Sequence, residues 1–329
     1  MKKTFVTSAG ILTAVLFCAV FFIRCLDPGN ESGTSPSYPQ TVNVSYIATP
    51  FNLQIMVMKE QGLLENAFAS FGVGVRWHVI NTGADQARAM AAGSLDIASV
   101  INATSVILAN VAGNPVHIAA LVSRPRETFA LMTGPGGPRT VRELKGKTIA
   151  GPKGSVLHQM LLAALAKEGM PAADVSIIQM GLPEARTALL AGRVDAALQA
   201  GNLIISNEEA GMRTLITADG YITPLLFTAV RPAFAENYPR LLEVYLAVQT
   251  ETAAWIAANT DEAVAIGARV QQISISDAAK LYNWNGVETI MEDSDVEALT
   301  ADVDFLYQQN MIEQKINPRQ FILPSAFGK

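Results

Sequence analysis

The sequence predicts an α/β protein of two similar lobes, each a mostly parallel sheet flanked by helices. Three observations carry that prediction. Strand-like and helix-like segments alternate in two separate runs, a pattern that gives parallel strands with helices on the sheet faces. The stretch Ala92-Gly93-Ser94-Leu95-Asp96-Ile97-Ala98 is echoed by Ala191-Gly192-Arg193-Val194-Asp195-Ala196-Ala197, in the pattern A-G-x-x-D-x-A. The chain has 329 residues, of which 50% are hydrophobic and 16% charged. That composition excludes disorder and suits about two domains with buried cores.

The first run opens at Val42–Ile47, which alternates and is β-branched, so it reads as a strand. Ala48-Thr49-Pro50 is a turn, and Leu53–Gln61 has helical spacing ended by Gly62. Val73–Ile80 is the second strand. Asp85–Ala92 is a short helix closed by Gly93, and Asp96–Val100 the third strand.

The second run repeats this order. Thr140–Leu144 reads as a short helix, Thr148–Ala150 as a strand and Ser155–Glu168 as a helix. Val175–Met180 is a strand, Pro183–Ala191 a helix ended by Gly192, and Asp195–Leu198 a strand. After about Pro232 the chain is helical over Leu241–Ala258, Asp261–Val270, Ser276–Tyr282 and Ser294–Asn310. The echo sits at the same place in both runs. Glycine takes the left-handed conformation that closes a helix, and a short turn then feeds a buried strand.

The N-terminus reads as an address. Lys2-Lys3 precede an apolar stretch from Phe5 to Ile23, the charged and apolar regions of an export signal, long enough also to span a bilayer. Arg24-Cys25 ends it. A cysteine there resembles a bacterial lipobox, which makes Cys25 the lipidation candidate, although Arg24 stands where a small residue is wanted; an uncleaved anchor is the alternative. Residues 1–25 are thus a signal or anchor, and the Pro-, Gly- and Ser-rich residues 26–40 a flexible tether. The two cysteines, Cys18 and Cys25, both fall in this leader, which leaves the body without a disulfide, a thiolate metal site or a cysteine nucleophile.

Several motifs lead nowhere. Gly146-Lys147-Thr148 imitates the end of a phosphate-binding loop, but Val141 stands where that motif requires glycine, and a strand follows instead of a helix. His78, His117 and His158 form no short ligand pair. Ser155 and His158 are neighbours on one helix face, without the G-x-S-x-G turn of a nucleophile. The formal net charge of −5 and the absence of a basic patch argue against nucleic acid. Trp77, Trp255 and Trp284 read as core or cleft walls, with Trp284 the best placed to meet a ligand.

Four stretches together resemble the solute-binding proteins of bacterial ABC importers, in the nitrate/sulfonate/taurine family that also includes binders of thiamine-pyrimidine precursors. They are the opening strand and helix to Met58-Lys59-Glu60-Gln61-Gly62-Leu63-Leu64, then Ala91–Ala98, then Val141-Arg142-Glu143-Leu144-Lys145-Gly146-Lys147-Thr148-Ile149-Ala150 with Gly154-Ser155, and Leu190–Ala197. The resemblance implies the type II periplasmic-binding-protein fold, with residues 41–125 plus 228–329 as one lobe and 126–227 as the other. It implies a periplasmic, membrane-tethered monomer that hands a small solute to an ABC permease, with no cofactor and no enzymatic step. Two alternatives stand beside it: a tethered sensor on the same scaffold, and a pyrimidine-synthase-like enzyme, which the lack of cysteine in the body disfavours.

In open α/β sheets ligands bind beyond the carboxyl ends of the strands. That rule selects Thr49, Pro50 and Phe51 after the first strand, Thr82 and Gly83 after the second, and Asn102, Ala103 and Thr104 after the third. In the other lobe it selects Gly154, Ser155 and Val156, then Leu182, then Gly201 and Asn202. Gly154-Ser155 opens a helix, where free N–H groups and the dipole favour an anion; Ser155 is equally an ordinary cap. Phe51 either stacks on a ligand ring or covers the core. Lys153 is the cation of these loops, Asp85 and Glu184 are the nearby acids, and Arg124 and Arg126 lie at the crossing. So neutral a cleft suits a small organic molecule, with or without one anionic group, better than a bare oxyanion.

Overall fold

The computed structural model describes residues 38–47, 51–125 and 127–329. The leader, the tether up to residue 37, Cys25, Thr49, Pro50 and Arg126 lie outside the described residues. In the first lobe, β1 (Thr41–Tyr46) leads through α1 (Leu53–Glu60) and α2 (Leu63–Ala69) to β2 (Gly74–Val79). Then α3 (Gly83–Ala91) leads to β3 (Ile97–Asn102), and α4 (Ala103–Val111) to β4 (His117–Ser123). The chain crosses to a second sheet as β5 (Phe129–Thr133), followed by β6 (Thr148–Gly151), α5 (Val156–Lys167), β7 (Ser176–Gln179) and α6 (Leu182–Leu190). It continues as β8 (Ala196–Ala200), α7 (Asn202–Glu209) and β9 (Arg213–Thr217). It returns to the first sheet at β10 (Leu226–Val230), and α8 (Pro232–Asn237), α9 (Pro239–Ala258), α10 (Thr260–Gln271), α11 (Ile275–Asn285) and α12 (Asp293–Gln308) complete that lobe.

The strand orders are β2-β1-β3-β10-β4 and β7-β6-β8-β5-β9. In each sheet the strand that has just crossed over runs against its neighbours: β10 is antiparallel to β3 and β4, and β5 to β8 and β9. The remaining pairs, β1 with β2 and β3, and β6 with β7 and β8, are parallel. A reversed strand starts where its parallel neighbours end. Leu226 and Phe129, the first residues of β10 and β5, therefore stand at the carboxyl edge of the two sheets, facing the same space as the loops.

Both faces of the first sheet are covered. Val42 and Val44 pack with α1, α2 and α9 through Ile55, Met58, Phe68 and Tyr245. Ala98 and Ile101 pack with α3, α4 and α12 through Met90, Val106, Leu299 and Leu306. This two-sided burial explains what periodicity alone misses. The strand His117–Ser123 (HIAALVS) and the helix Ala103–Val111 (ATSVILANV) are apolar on all sides, so neither a two-residue nor a 3.6-residue repeat marks them. The segment read as a loop after the third strand is in fact the first turn of α4, and Asn202 is the first residue of α7.

The echo has a structural meaning. Gly93 and Gly192 close α3 and α6 with φ of 73° and 64°. Asp96 Oδ2 then accepts the backbone N–H of Asn43 at 2.9 Å, and Asp195 Oδ2 that of Thr148 at 2.9 Å. Asn43 lies in β1 and Thr148 in β6, so each aspartate ties its own strand to the first strand of its run.

Candidate functional site

A cavity of about 470 Å³ lies between the carboxyl edges of the two sheets. The first lobe lines it with Ile47, with Asn81, Thr82, Gly83 and Gln86 around the start of α3, with Val100, Ile101 and Asn102 at the end of β3, and with Leu226. The second lobe adds Phe129, then Pro152, Ser155, Val156 and Leu157 at the start of α5. Gly181, Leu182, Pro183 and Glu184 come from the start of α6, and Ala200 and Leu203 flank the start of α7.

Five helices therefore point their N-termini at one space: α3, α4, α5, α6 and α7. Each brings the partial positive charge of its first turn to that side. Side chains cap three of them. Thr82 accepts from the Asp85 N–H at 3.1 Å, Asn102 from the Ser105 N–H at 2.9 Å, and Ser155 from the His158 N–H at 3.4 Å. Ser155 also donates to the Pro152 carbonyl at 2.7 Å, so its hydroxyl serves the turn. Asn102 Oδ1 is likewise used, while its Nδ2 lies beside Gly83. Val156 and Leu157, at the first positions of α5, line the cavity, and their backbone N–H groups have no partner inside the helix.

The walls are otherwise apolar, and among the described lining residues Glu184 is the one charged side chain. Nearby charges are spent elsewhere. Asp85 binds Thr82 and Arg88, and the Thr82 hydroxyl, then Arg88, hold its carboxyl below the usual range. Arg124 is paired with Asp295 at 2.6 Å and with Glu288. Lys153 is exposed and does not line the cavity. Burial, and then Lys153, lower the His158 pKa, and its neutral ring accepts the Gly154 N–H on Nδ1 at 3.2 Å.

Of the residues selected from the sequence, Thr82, Gly83, Asn102, Ser155, Val156 and Leu182 meet on this cavity, and Ala103, Thr104, Gly154, Gly201 and Asn202 do not line it. Ala103 donates its N–H to the Leu225 carbonyl and is buried. Thr104 is fully buried and points at Gln159. Gly201 turns the chain between β8 and α7 at φ 59°, and donates its N–H to Thr128. Phe51 takes the second of its two roles. It is fully buried among Leu53, Ile256 and Val264, and a Cβ on Gly267 would stand 2.5 Å from its Cζ. Trp284, on α11, packs against the α6–α7 side of the second lobe, off the cavity wall.

The aromatic ring on the wall is Phe129, which sequence reasoning misses because β5 is short and buried throughout, without a two-residue alternation. Gln86 was also missed. It is fully buried, donates to the Val100 carbonyl at 3.0 Å and accepts from Ser45 at 2.7 Å, fixing α3 on the sheet. A polar residue on the buried face of a short helix was the available signal.

The chain is similar to several known proteins. A protein of Bacillus subtilis (strain 168), provisionally named an aliphatic sulfonates-binding protein, is 29% identical over 315 residues, 94% of this chain and 93% of that protein. The taurine-binding periplasmic protein of Escherichia coli (strain K12) is 27% identical over 201 residues, 55% of this chain and 57% of that one. The alkanesulfonate-binding protein SsuA from Xanthomonas axonopodis pv. citri, bound to MOPS, has the same fold, with a TM-score of 0.79 at 19% identity over 87% of this chain and 99% of that one. Residues 55–263, more than half of the chain, match the NMT1/THI5-like family, and the chain belongs to that family.

Proposed function

We propose that this chain is the extracytoplasmic solute-binding component of an ABC importer, and that its cavity takes a small organic monoanion with an apolar body, an alkanesulfonate in the first instance. One observation carries the reading: five helix N-termini converge on a cavity whose walls are otherwise apolar and bear no cation among the described lining residues. Such a site neutralises an anionic head with N–H dipoles and receives an apolar tail on Phe129, Leu203 and Leu226. The backbone of Gly83, Val156 and Leu157 and the Asn102 amide are the proposed anion contacts, and Leu182 shapes the wall. The names of the relatives above support sulfonate as the head group.

In this reading the apolar leader exports the protein and tethers it outside the membrane, at Cys25 or as an anchor, and the protein acts as a monomer. It performs no chemistry. Ser155 and His158 are both spent on backbone groups, and the described body carries no cysteine.

The test is a thermal-unfolding panel with ethanesulfonate, taurine, MOPS, nitrate and sulfate. A ligand at 100 times its Kd stabilises by about 2.7 kcal/mol. Selective stabilisation by the organic sulfonates, lost in Asn102→Leu, supports the reading. Stabilisation by nitrate or sulfate alone overturns the monoanion-with-tail assignment, and no response across the panel overturns sulfonate capture.

A further inference from the structure

Behind the cavity, one side chain joins the lobes. Gln159 lies on α5, one turn in from Ser155, and is 1% exposed. Its Oε1 accepts the Thr104 hydroxyl at 2.5 Å, and its Nε2 donates to Asp302 Oδ1. Thr104 is in the first turn of α4, whose cap Asn102 lines the cavity, and Asp302 is in the middle of α12. A single amide of the second lobe thus bonds two helices of the first. Thr104 is fully buried and Asp302 nearly so, and breaking either bond leaves a largely desolvated polar group without its partner.

We infer that Gln159 is the latch between the lobes and the positioning residue of α5, holding that helix's ligand-facing N-terminus against the first lobe through Thr104 and Asp302. The proposal stands on the buried Thr104–Gln159–Asp302 chain and does not depend on which solute is bound.

A second cavity, of about 630 Å³, adjoins the latch on the far side and is lined by Gln159, Asp302, Arg124, Asp219 and Tyr221 among others. It brings space on the solvent side up to Asp302. Burial raises the Asp302 pKa to about 7, against the opposing pull of the Gln159 bond. The other charged groups leave it so. Arg124 is committed to Asp295 and Glu288, and Asp219 shares the second cavity. Tyr221 lies under Lys167, α4 carries no titratable residue, and His158 is turned to Gly154. With the latch made, Asp302 therefore keeps its proton to higher pH than a solvated carboxyl does. Closure is strongest at low pH, weakens as pH rises from the usual carboxylate range to about 7, and levels off above that.

The test reads closure directly in the full chain with Cys18→Ser and Cys25→Ser. Spin labels go on Val79→Cys and Ile178→Cys, exposed positions on the edge strands of the two sheets. Distance distributions are recorded at pH 5.5 and pH 8.0. The ratio of short to long distances is expected to fall roughly ten- to thirty-fold between the two pH values. Asp302→Asn, which mimics the neutral acid, is expected to stay short at both. Gln159→Met, of similar volume, is expected to shift to long distances at both, with its thermal midpoint confirming a folded protein. An unchanged native distribution, an Asp302→Asn protein that keeps the full pH response, or a Gln159→Met protein that closes like the native one would each overturn the latch.

Discussion

Asp195 does in the second lobe what Asp96 does in the first: each carboxylate accepts, at 2.9 Å, a backbone N–H from the strand that opens its βαβ run. Each also has a cation beside it, Arg231 at 2.6 Å for Asp96 and Lys147 at 3.3 Å for Asp195. The seven-residue echo in the sequence is the trace of this shared strand tie. The two ties differ in exposure, at 9% for the Asp96 side chain and 37% for that of Asp195.

Exposure sets the first prediction. Asp96→Ala removes a nearly buried carboxylate and leaves the part-buried Asn43 N–H and Arg231 without it, and is expected to cost about 2–3 kcal/mol. Asp195→Ala, where water can replace the carboxylate, is expected to cost about 1 kcal/mol. Urea unfolding of the two variants measures the difference, and equal costs would contradict the account. The Thr148 N–H, foremost, holds the Asp195 carboxyl below its usual value. Its contribution is therefore present above the carboxylate range and lost as pH falls through the lowered value.

Gly83 is where the starts of α3 and α4 touch. A Cβ there would stand 2.4 Å from Ser105 Oγ and 2.6 Å from Ser105 Cβ. Gly83→Ala is expected to destabilise by about 1–3 kcal/mol and, by parting two of the five N-termini, to weaken sulfonate binding at least roughly tenfold. Removing the obstacle with Ser105→Gly in the same chain should restore most of the affinity. Calorimetric titration of the single and double variants checks this, and an unrescued double variant would refute the steric cause.

The two phenylalanines should separate stability from binding. Phe51→Leu acts in the core between α1 and α10 and is expected to lower the thermal midpoint while leaving affinity within about twofold. Phe129→Leu reshapes the cavity wall and is expected to weaken binding of ligands with longer tails by roughly fivefold or more. Parallel melting and titration series in alkanesulfonates of increasing chain length distinguish the two.

His158 carries a second pH response, opposite in sign to that of Asp302. Burial lowers its pKa, and the ring must be neutral for Nδ1 to accept the Gly154 N–H. Folding gains from it above about pH 6.5, the unfolded value, and loses that gain as pH falls through the lowered folded value. The midpoint of the native protein should therefore drop more steeply below pH 6.5 than that of His158→Gln. Superimposable melting profiles from pH 4.5 to 7.5 would remove His158 from the account.

The sequence by itself determined the class of fold, the two runs and the cavity-facing loops. Those features are written in local chemistry: β-branched alternation in Val42–Ile47, glycine at helix ends such as Gly93 and Gly192, and capping residues such as Thr82, Asn102 and Ser155. Only the tertiary structure decided which neighbours of those loops face the cavity. Phe51 and Phe129 are both phenylalanines beside a strand end, and what separates them is a packing partner more than 200 residues away: Gly267 receives one ring, and the other is left on the wall. The Gln159 latch was equally illegible, because Thr104, Gln159 and Asp302 lie on three helices that nothing in their local sequence relates. Capping and turn chemistry act over three or four residues and can be read along the chain. Burial and inter-lobe hydrogen bonds arise only when distant segments meet, so their consequences, including the raised pKa of Asp302, are properties of the assembled protein.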